Sequence, residues 1–393
     1  MTRPTVSVIM SAYNHADFVQ QTVESVLSQQ GVELEFLIGD DGSPDRTREV
    51  VASIKDERIR LFANEKNRGA ALVTDELIGR AAGEFIAILN SDDYWPCPDK
   101  LAYQLQVMRE RPEVGACFGR ARFVDKDGCA IDKATMQYGS VFDKENRSQA
   151  QWLRHFFYSG NCLCHPTLLI RKACYDAVGT YSNQLRQVPD FDMWIRLLKK
   201  YEIFVSDREL VAFRQLPGQN ASGPSTDNMR RIRNEMYLVF RSFFDQMPDD
   251  LLRDGFSDMF VDKNASKPEE LEIEKAFLYL TEDRWLARIY NPIGLEKVYW
   301  LLNHEPYREI LSRNYAFDDL AFHALQAKVA TFDPPTPAPK PRPSAAPGVS
   351  LSAASGTLLL AEVLKRCKAR LPKWVRSTAR KLKRRPKVTM PSS

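Results

Sequence analysis

Residues 85–95 read FIAILNSDDYW, an apolar run that ends at two adjacent carboxylates, Asp92 and Asp93. The run from 85 to 89 has the length and the β-branched content of a buried strand, which places the acidic pair at the carboxyl end of that strand. Ligands bind at this edge in open α/β sheets. Adjacent carboxylates repel each other unless a cation lies between them and an anionic group, so the pair indicates a divalent metal holding a phosphate. An ordinary Asp-rich turn is the alternative for this stretch alone.

The rest of the N-terminal half predicts a parallel sheet around that strand. Apolar runs at 6–10, 34–39 and 59–62 alternate with helical patterns, and strand-helix alternation of this kind implies parallel strands joined by right-handed crossovers. The strand-end loops carry Tyr13-Asn14, Asp40-Asp41 and Asp92-Asp93. Because such loops meet at one edge of a sheet, they predict a cleft. Neither G-x-G-x-x-G nor G-x-x-x-x-G-K-[ST] occurs in the sequence, so neither glycine-rich mode of phosphate binding is available.

A second acidic segment lies further along the chain. Residues 187–198 read QVPDFDMWIRLL, in which Pro189 suits the first helical turn and Asp190 or Asp192 suits the positive end of the helix dipole. The same pattern is compatible with Asp190 serving only as a helix cap. Trp194 falls on the apolar face of this helix, which favours a place in the core.

Composition narrows the class of protein. The 393 residues are 44% hydrophobic, enough for two domains or for one large domain with appendages. No basic-then-apolar leader precedes the first strand, which favours a cytoplasmic location. The seven cysteines include no C-x-x-C pair and do not suggest a disulfide framework. The segment CLCH at 162–165 has metal-ligand chemistry but lacks a partner cluster, so buried thiols beside a structural His165 are favoured over a zinc site.

Charge is distributed unevenly along the chain. Of the net +4, residues 359–393 contribute +11, which leaves −7 for residues 1–358. This basic tail alternates apolar residues, including Trp374, with Lys and Arg. Such a segment suits an anionic membrane surface, where each basic residue contributes roughly 1 kcal/mol. A solvated charged tail is the alternative, and a nucleic-acid partner is not favoured.

Five segments in order resemble the family 2 glycosyltransferases of the GT-A fold and together span about residues 5–215. They are VSVIMSAYN at 6–14, DDGSPDRT at 40–47, NRG at 67–69, NSDD at 90–93 and PDFDMWIRL at 189–197. The resemblance implies an α/β fold with a mixed, mainly parallel sheet flanked by helices. It also implies inverting transfer of a sugar from a UDP-, dTDP- or GDP-sugar to an acceptor hydroxyl, with Mn²⁺ or Mg²⁺ as cofactor.

The resemblance also assigns roles to individual residues. Asp190 would be the catalytic base, and Asp93 would bind the metal together with both phosphates. Tyr13 would stack on the base of the donor, Asp41 would bond to the base edge, and Asp92 would contact the ribose or the sugar. Arg214 would bind the phosphates. Three more residues in the matching segments are assigned to the donor site: Ala12, Asn14 and Arg68. Three positions depart from the family pattern: Pro189 replaces a Glu, Leu216 stands where His is usual, and Asn90 replaces an Asp. The last change predicts weak metal binding unless the donor is present.

The C-terminal half is predicted to consist of appendages. We expect the α/β domain at 1–225, a helical extension at 226–332, a Pro/Ala-rich linker at 333–357 and the basic amphipathic tail at 358–393. The extension would contribute to the acceptor site or to a homodimer interface. The expected acceptor is a surface polysaccharide or lipid-linked glycan at the inner face of the plasma membrane, with a protein or small soluble acceptor as the alternative. A catalytically inactive nucleotide-sugar binder or scaffold is the competing function.

Overall fold

A computed structural model describes residues 4–216, 225–281 and 284–329. The linker and the basic tail predicted from 333 onward lie outside these residues. Within them, one seven-stranded sheet has the order β3-β2-β1-β4-β6-β5-β7. Its strands are β1 (Val6–Ala12), β2 (Leu34–Asp40), β3 (Ile59–Ala63), β4 (Phe85–Ile88), β5 (Val114–Val124), β6 (Leu169–Arg171) and β7 (Glu202–Arg214).

The sheet is mixed and mainly parallel, as predicted. The strands β1 to β4 are mutually parallel, β6 runs antiparallel to both β4 and β5, and β7 is parallel to β5. All four residues of β4 are buried, and so are six of the seven in β1. Helices cover both faces of a parallel sheet, which explains why these strands read as continuous apolar runs.

The helices of the described residues are α1 (Val19–Leu27), α2 (Thr47–Ser53), α3 (Ala70–Arg80), α4 (Lys100–Glu110), α5 (Gln149–Ser159), α6 (Lys172–Val178), α7 (Pro189–Leu198), α8 (Thr226–Arg241), α9 (Asp249–Phe256), α10 (Pro268–Leu278), α11 (Arg284–Leu302), α12 (Tyr307–Tyr315) and α13 (Asp319–Gln326). None of these helices is long and apolar enough to span a membrane. Helices α1 to α4 alternate with strands β1 to β5, as the sequence predicts, and helices α8 to α13 follow the last strand.

The chain divides into two compact units between Leu251 and Leu252, later than the boundary expected at 225/226. The reason is the packing of α8. Its Phe240 contacts Phe157 of α5 and Phe191 of α7, with ring centroids 6.2 and 5.8 Å apart. A helix anchored by buried aromatic rings belongs to the unit that supplies those rings.

The second unit is helical, as expected, and has its own core. Buried side chains from α10 to α13 form it, including Phe277, Val298, Leu311 and Phe322. The fully buried Glu274 accepts hydrogen bonds from the backbone N–H groups of residues 261 and 262, both at 2.7 Å. Burial raises the pKa of Glu274 to about 7.

One glycine fixes the path of the loop after β2. Gly42 has φ = +71°, and a Cβ there would lie 2.6 Å from the backbone of Lys66. We expect Gly42→Ala to lower the free energy of unfolding by about 2 kcal/mol or more, because the substitution adds both backbone strain and a clash.

The matched control is Gly79→Ala in α3, where a Cβ would meet nothing within 4 Å. This substitution is expected to stabilise the protein by about 0.5–1 kcal/mol. Urea unfolding of both variants measures the difference. Equal stability of the two variants would show that the loop does not need Gly42.

Candidate active site

Three strand-end loops meet at the carboxyl edge of the sheet, as the sequence predicts. The backbone N–H of Asp41 donates to the carbonyl of Ala12 at 2.9 Å. The backbone N–H of Asn14 donates to Ser43 Oγ at 3.1 Å. His15 Nδ1 and Ser91 Oγ share a hydrogen bond of 2.7 Å. The loops after β1, β2 and β4 therefore form one continuous wall.

Tyr13 stands out on this wall because it is a large side chain left 42% exposed. The next residue, Asn14, has φ = +56°, a left-handed conformation that turns the chain sharply after the strand. An exposed aromatic ring at this edge offers a face for stacking a planar group.

Asp41 is engaged by the protein itself. Its carboxylate accepts hydrogen bonds from Asn64 Nδ2 at 3.0 Å and from the backbone N–H groups of Arg68 and Gly69 at 2.9 and 2.8 Å. A carboxylate has about four acceptor positions, and the protein fills three of them here. The Arg68 side chain pairs with Glu76 at 2.7 Å. In this structure Asp41 holds the loop at 64–69, and the Arg68 guanidinium is turned toward α3.

The two carboxylates after β4 differ in their surroundings. Asp93 is 1% exposed; its Oδ1 accepts from the backbone N–H of Arg214 at 2.8 Å and its Oδ2 from Asn90 Nδ2 at 2.9 Å. Burial, reinforced by the adjacent Asp92, raises the pKa of Asp93 well above its usual value. Asp92 is more accessible, with Oδ2 lying 4.0 Å from His15 Nε2, and burial raises its pKa as well. The protein alone therefore disfavours two negative charges here.

The side chain of Arg214 holds the Asp92-Asp93 turn through hydrogen bonds. Its Nε donates to the carbonyl of Asp92 at 2.8 Å, Nη1 to the carbonyl of Lys126 at 2.7 Å and Nη2 to Gln21 Oε1 at 2.6 Å. The residue is 2% exposed. The sequence predicts a phosphate ligand, but the structure engages the guanidinium with the protein's own acceptors. Arg214 positions the Asp92-Asp93 turn through these contacts, and phosphate binding by this residue stays a prediction.

Thr22 of α1 supports the same turn. Its hydroxyl lies 2.7 Å from the carbonyl of Asp93 and 3.1 Å from that of Ser91. Thr22 was not predicted, because a polar residue within an amphipathic helix carries no signal for a contact so distant along the chain.

Asp190 is the second residue of α7. Its Oδ2 accepts from Asn161 Nδ2 at 2.8 Å, and its Oδ1 accepts from the backbone N–H of Phe191 at 2.8 Å. The side chain is partly accessible yet closely surrounded by protein, and this desolvation raises the pKa of Asp190 to about 6. A carboxyl group with such a pKa can exchange a proton near neutral pH. Asn161 was not predicted, since it follows α5 without any motif.

The thiol of Cys164 is buried and is influenced by the charges of Asp93 and Asp190. Burial raises the pKa of Cys164 well above its usual value, and the charges of both carboxylates raise it further. Trp95, two residues after the acidic turn, donates through Nε1 to the carbonyl of Pro166 at 3.3 Å, and His165 packs beside Trp194 of α7. The loop after β4 and helix α7 therefore both contact the segment at 164–166.

His165 is a structural residue here, as favoured from the sequence. It shares a hydrogen bond of 2.9 Å with the Tyr181 hydroxyl and packs beside Trp194, with ring centroids 5.7 Å apart. Burial lowers the pKa of His165 to about 4, so the ring is neutral at physiological pH. No three Asp, Glu, His or Cys side chains converge as a metal site anywhere in the described part of the chain, including residues 162–165.

With this geometry established, comparisons with known proteins define the family. The model of glycosyl transferase family 2 matches residues 7–171. A Bacillus subtilis protein named as the putative teichuronic acid biosynthesis glycosyltransferase TuaG is 40% identical over 241 residues, which cover 61% of this chain and 88% of that protein. The chain therefore belongs to glycosyltransferase family 2.

One further relative and one solved structure extend the comparison. The Escherichia coli UDP-Glc:alpha-D-GlcNAc-diphosphoundecaprenol beta-1,3-glucosyltransferase WfaP is 42% identical over 199 residues, covering 50% of this chain and 70% of that protein. The structure of S. aureus TarS residues 1–349 in complex with UDP-GlcNAc superposes with a TM-score of 0.51 at 17% identity, covering 82% of this chain and 90% of that one. This likeness concerns the GT-A fold alone.

The positioning role of Arg214 can be tested by Arg214→Lys. We expect this change to lower the free energy of unfolding by about 2 kcal/mol or more, because an ammonium cannot replace the three directions of the guanidinium. The control is Arg122→Lys at an exposed pair with Glu209, where the expected change is within about 0.5 kcal/mol. Urea unfolding compares the two variants. An Arg214→Lys variant that keeps its stability and loses only UDP affinity would instead favour direct phosphate binding.

Proposed function

We propose that this chain catalyses inverting transfer of a sugar from a nucleotide-diphosphate sugar to an acceptor hydroxyl. The observation that carries the proposal is the position of Asp190, which Asn161 holds at the start of α7. Helix α7 packs on the segment at 164–166, and Trp95 of the loop after β4 bonds to the same segment. Burial raises the pKa of Asp190 to about 6. A base on one side and a diphosphate site on the other are what a single displacement requires.

The proposed reaction is a single displacement at the anomeric carbon. The acceptor oxygen attacks the anomeric carbon from the side opposite the diphosphate, and its proton passes to Asp190. The bond between the anomeric carbon and the phosphate oxygen breaks, and the nucleoside diphosphate departs with the electron pair. Asn161, by donating to Asp190 Oδ2, fixes the carboxylate so that its remaining lone pairs can accept that proton.

The donor site is assigned to the wall formed by the loops after β1, β2 and β4. Tyr13 would stack on the nucleobase, while Asp41 with the 64–69 loop would border the base edge. Asp92 and Asp93 offer oxygen ligands suited to Mn²⁺ or Mg²⁺, and because the pKa values of both are raised, a cation would relieve the local repulsion. Such a cation, when bound, would neutralise charge on the departing diphosphate. Asp92, the more accessible of the two, supplies the freer oxygens, a shift from the expectation that Asp93 is the principal ligand.

The relatives support a choice of partners. Their names include teichuronic acid biosynthesis and a glucosyltransferase acting on a diphosphoundecaprenol-linked sugar, and the TarS structure carries UDP-GlcNAc. We accordingly assign this chain a UDP-, dTDP- or GDP-sugar donor and a surface polysaccharide or lipid-linked acceptor. Peripheral attachment through the basic tail would bring the enzyme to such an acceptor.

The base assignment predicts the effect of Asp190→Asn. We expect a loss of transfer of about 1,000-fold or more with UDP affinity unchanged, because the amide keeps the shape of the side chain and cannot take the proton. The matched control is Asp192→Asn, in the same helical turn but paired with Arg196 at 2.9 Å, which should retain most activity. Donor turnover and nucleotide calorimetry separate the two effects. Transfer by the Asp190→Asn variant at the wild-type rate would remove Asp190 as the base.

The same group sets the expected pH dependence. Because the active form is the carboxylate, kcat/KM should fall as the pH drops through about 6, well above the ordinary Asp value of 3.8. Since the pKa of Asp190 is raised on folding, its stabilising contribution is present below the ordinary value and lost as the pH rises through about 6. Asp190→Asn should therefore unfold no earlier than wild type at alkaline pH.

The metal assignment predicts different results for Asp92→Asn and Asp93→Asn. Asp92→Asn should abolish the Mn²⁺-dependent part of UDP, dTDP or GDP affinity without loss of stability, because its carboxylate is the more accessible of the two. Asp93→Asn should also lower the unfolding temperature, because its carboxylate accepts from Arg214 and Asn90. Calorimetry with Mn²⁺ alone should show weak binding. Nucleotide affinity that does not respond to Mn²⁺ in the wild type would contradict the assignment.

The competing function, an inactive nucleotide-sugar binder or scaffold, predicts the same nucleotide binding with no turnover. The Asp190 comparison separates the two functions, because a scaffold has no use for a carboxylate with a raised pKa in the acceptor region.

A further inference from the structure

Glu235 of α8 is a buried carboxylate outside the matched family segment. It is 5% exposed and accepts three backbone hydrogen bonds, from the N–H groups of Arg186 at 3.0 Å, Gln187 at 2.7 Å and Val188 at 3.1 Å. Three N–H donors converging on one carboxylate fix the path of that backbone closely.

These three residues lead directly into α7. Val188 is the cap residue of the helix, and Asp190 follows two positions later. The first N–H groups of a helix have no partner within it, and a negative charge near this end is favourable to the helix dipole. Glu235 therefore determines where α7 begins and how its first turn is oriented.

Helix α8 also contacts the residue that follows Asp190. Phe240 packs against Phe191, the neighbour of Asp190, with ring centroids 5.8 Å apart. Nearer the start of α8, Asn228 Oδ1 accepts from Gln187 Nε2 at 3.2 Å. The residues before and after Asp190 are thus both held by a single helix.

We propose that Glu235 is a positioning residue for the transfer reaction, holding the first turn of α7 so that Asp190 faces the acceptor hydroxyl. This inference rests on the proposed role of Asp190 as the base. It assigns α8, which the sequence placed in a separate extension, to the machinery that orients the acceptor side of the site.

The test compares Glu235→Ala and Glu235→Gln with Asp227→Ala, which removes an exposed carboxylate of the same helix that pairs with Arg230 at 3.3 Å. UDP-glucose, dTDP-glucose and GDP-mannose are assayed with Mn²⁺ for nucleoside diphosphate release. A displaced base is expected to lower kcat about 10- to 100-fold in the Ala variant, with the KM for the sugar nucleotide within about twofold. The Gln variant, which keeps one acceptor oxygen, should recover part of kcat, and Asp227→Ala should match wild type.

A second measurement does not depend on turnover. Carbon-13 NMR of the Asp190 carboxyl, assigned by its absence in Asp190→Asn, should show its pKa falling from about 6 toward the ordinary value in Glu235→Ala, because the freed loop admits water. If the Ala or Gln variant is folded and both kcat and the Asp190 titration match wild type, the inference is overturned. If Asp190→Asn itself keeps full activity, the proposed function fails first, and a changed titration in Glu235→Ala would still show the structural link.

Discussion

The structure depends on the contact between the end of β7 and the acidic turn after β4. Two strands lie between β4 and β7 in the sheet, yet Tyr94 pairs with Ala212 and the backbone N–H of Arg214 donates to Asp93. The turn is therefore tied across the carboxyl edge of the sheet. The Arg214 guanidinium completes the tie by bonding to the carbonyl of Asp92. Without this contact, two adjacent buried carboxylates would have no fixed geometry in which to meet a ligand.

The same kind of contact, a buried carboxylate that accepts bonds from backbone N–H groups, recurs in the first unit. Buried carboxylates accept bonds from backbone N–H groups that are distant in sequence: Asp41 from residues 68 and 69, Asp93 from residue 214 at the end of β7, and Glu235 from residues 186–188. Charge-assisted bonds of this kind are stronger than neutral ones, and a lost partner leaves a buried charge uncompensated. These loops of the cleft are thereby held by specific contacts in addition to apolar packing, in which Leu89 and Trp95 take part.

Much of the architecture could be predicted from the sequence, for identifiable reasons. Continuous apolar runs such as 85–89 indicated strands buried on both faces, and polar residues at their ends indicated where the cleft lies.

The partners of side chains could not be predicted in the same way. Arg214 has the chemistry of a phosphate ligand, but three protein acceptors lie within its reach. Glu235 looks like any polar residue on an amphipathic helix, and the boundary at 225 followed from periodicity, which does not show what a helix packs against.

We propose that a base and a diphosphate site face each other across one reaction centre. The most direct measurement is the configuration of the sugar first released or transferred, followed by proton NMR from an α-linked sugar nucleotide with Mn²⁺. We expect the β anomer to form first, through a single displacement assisted by Asp190. Formation of the α anomer first would contradict it, because retention needs a second displacement that a single base at Asp190 does not provide.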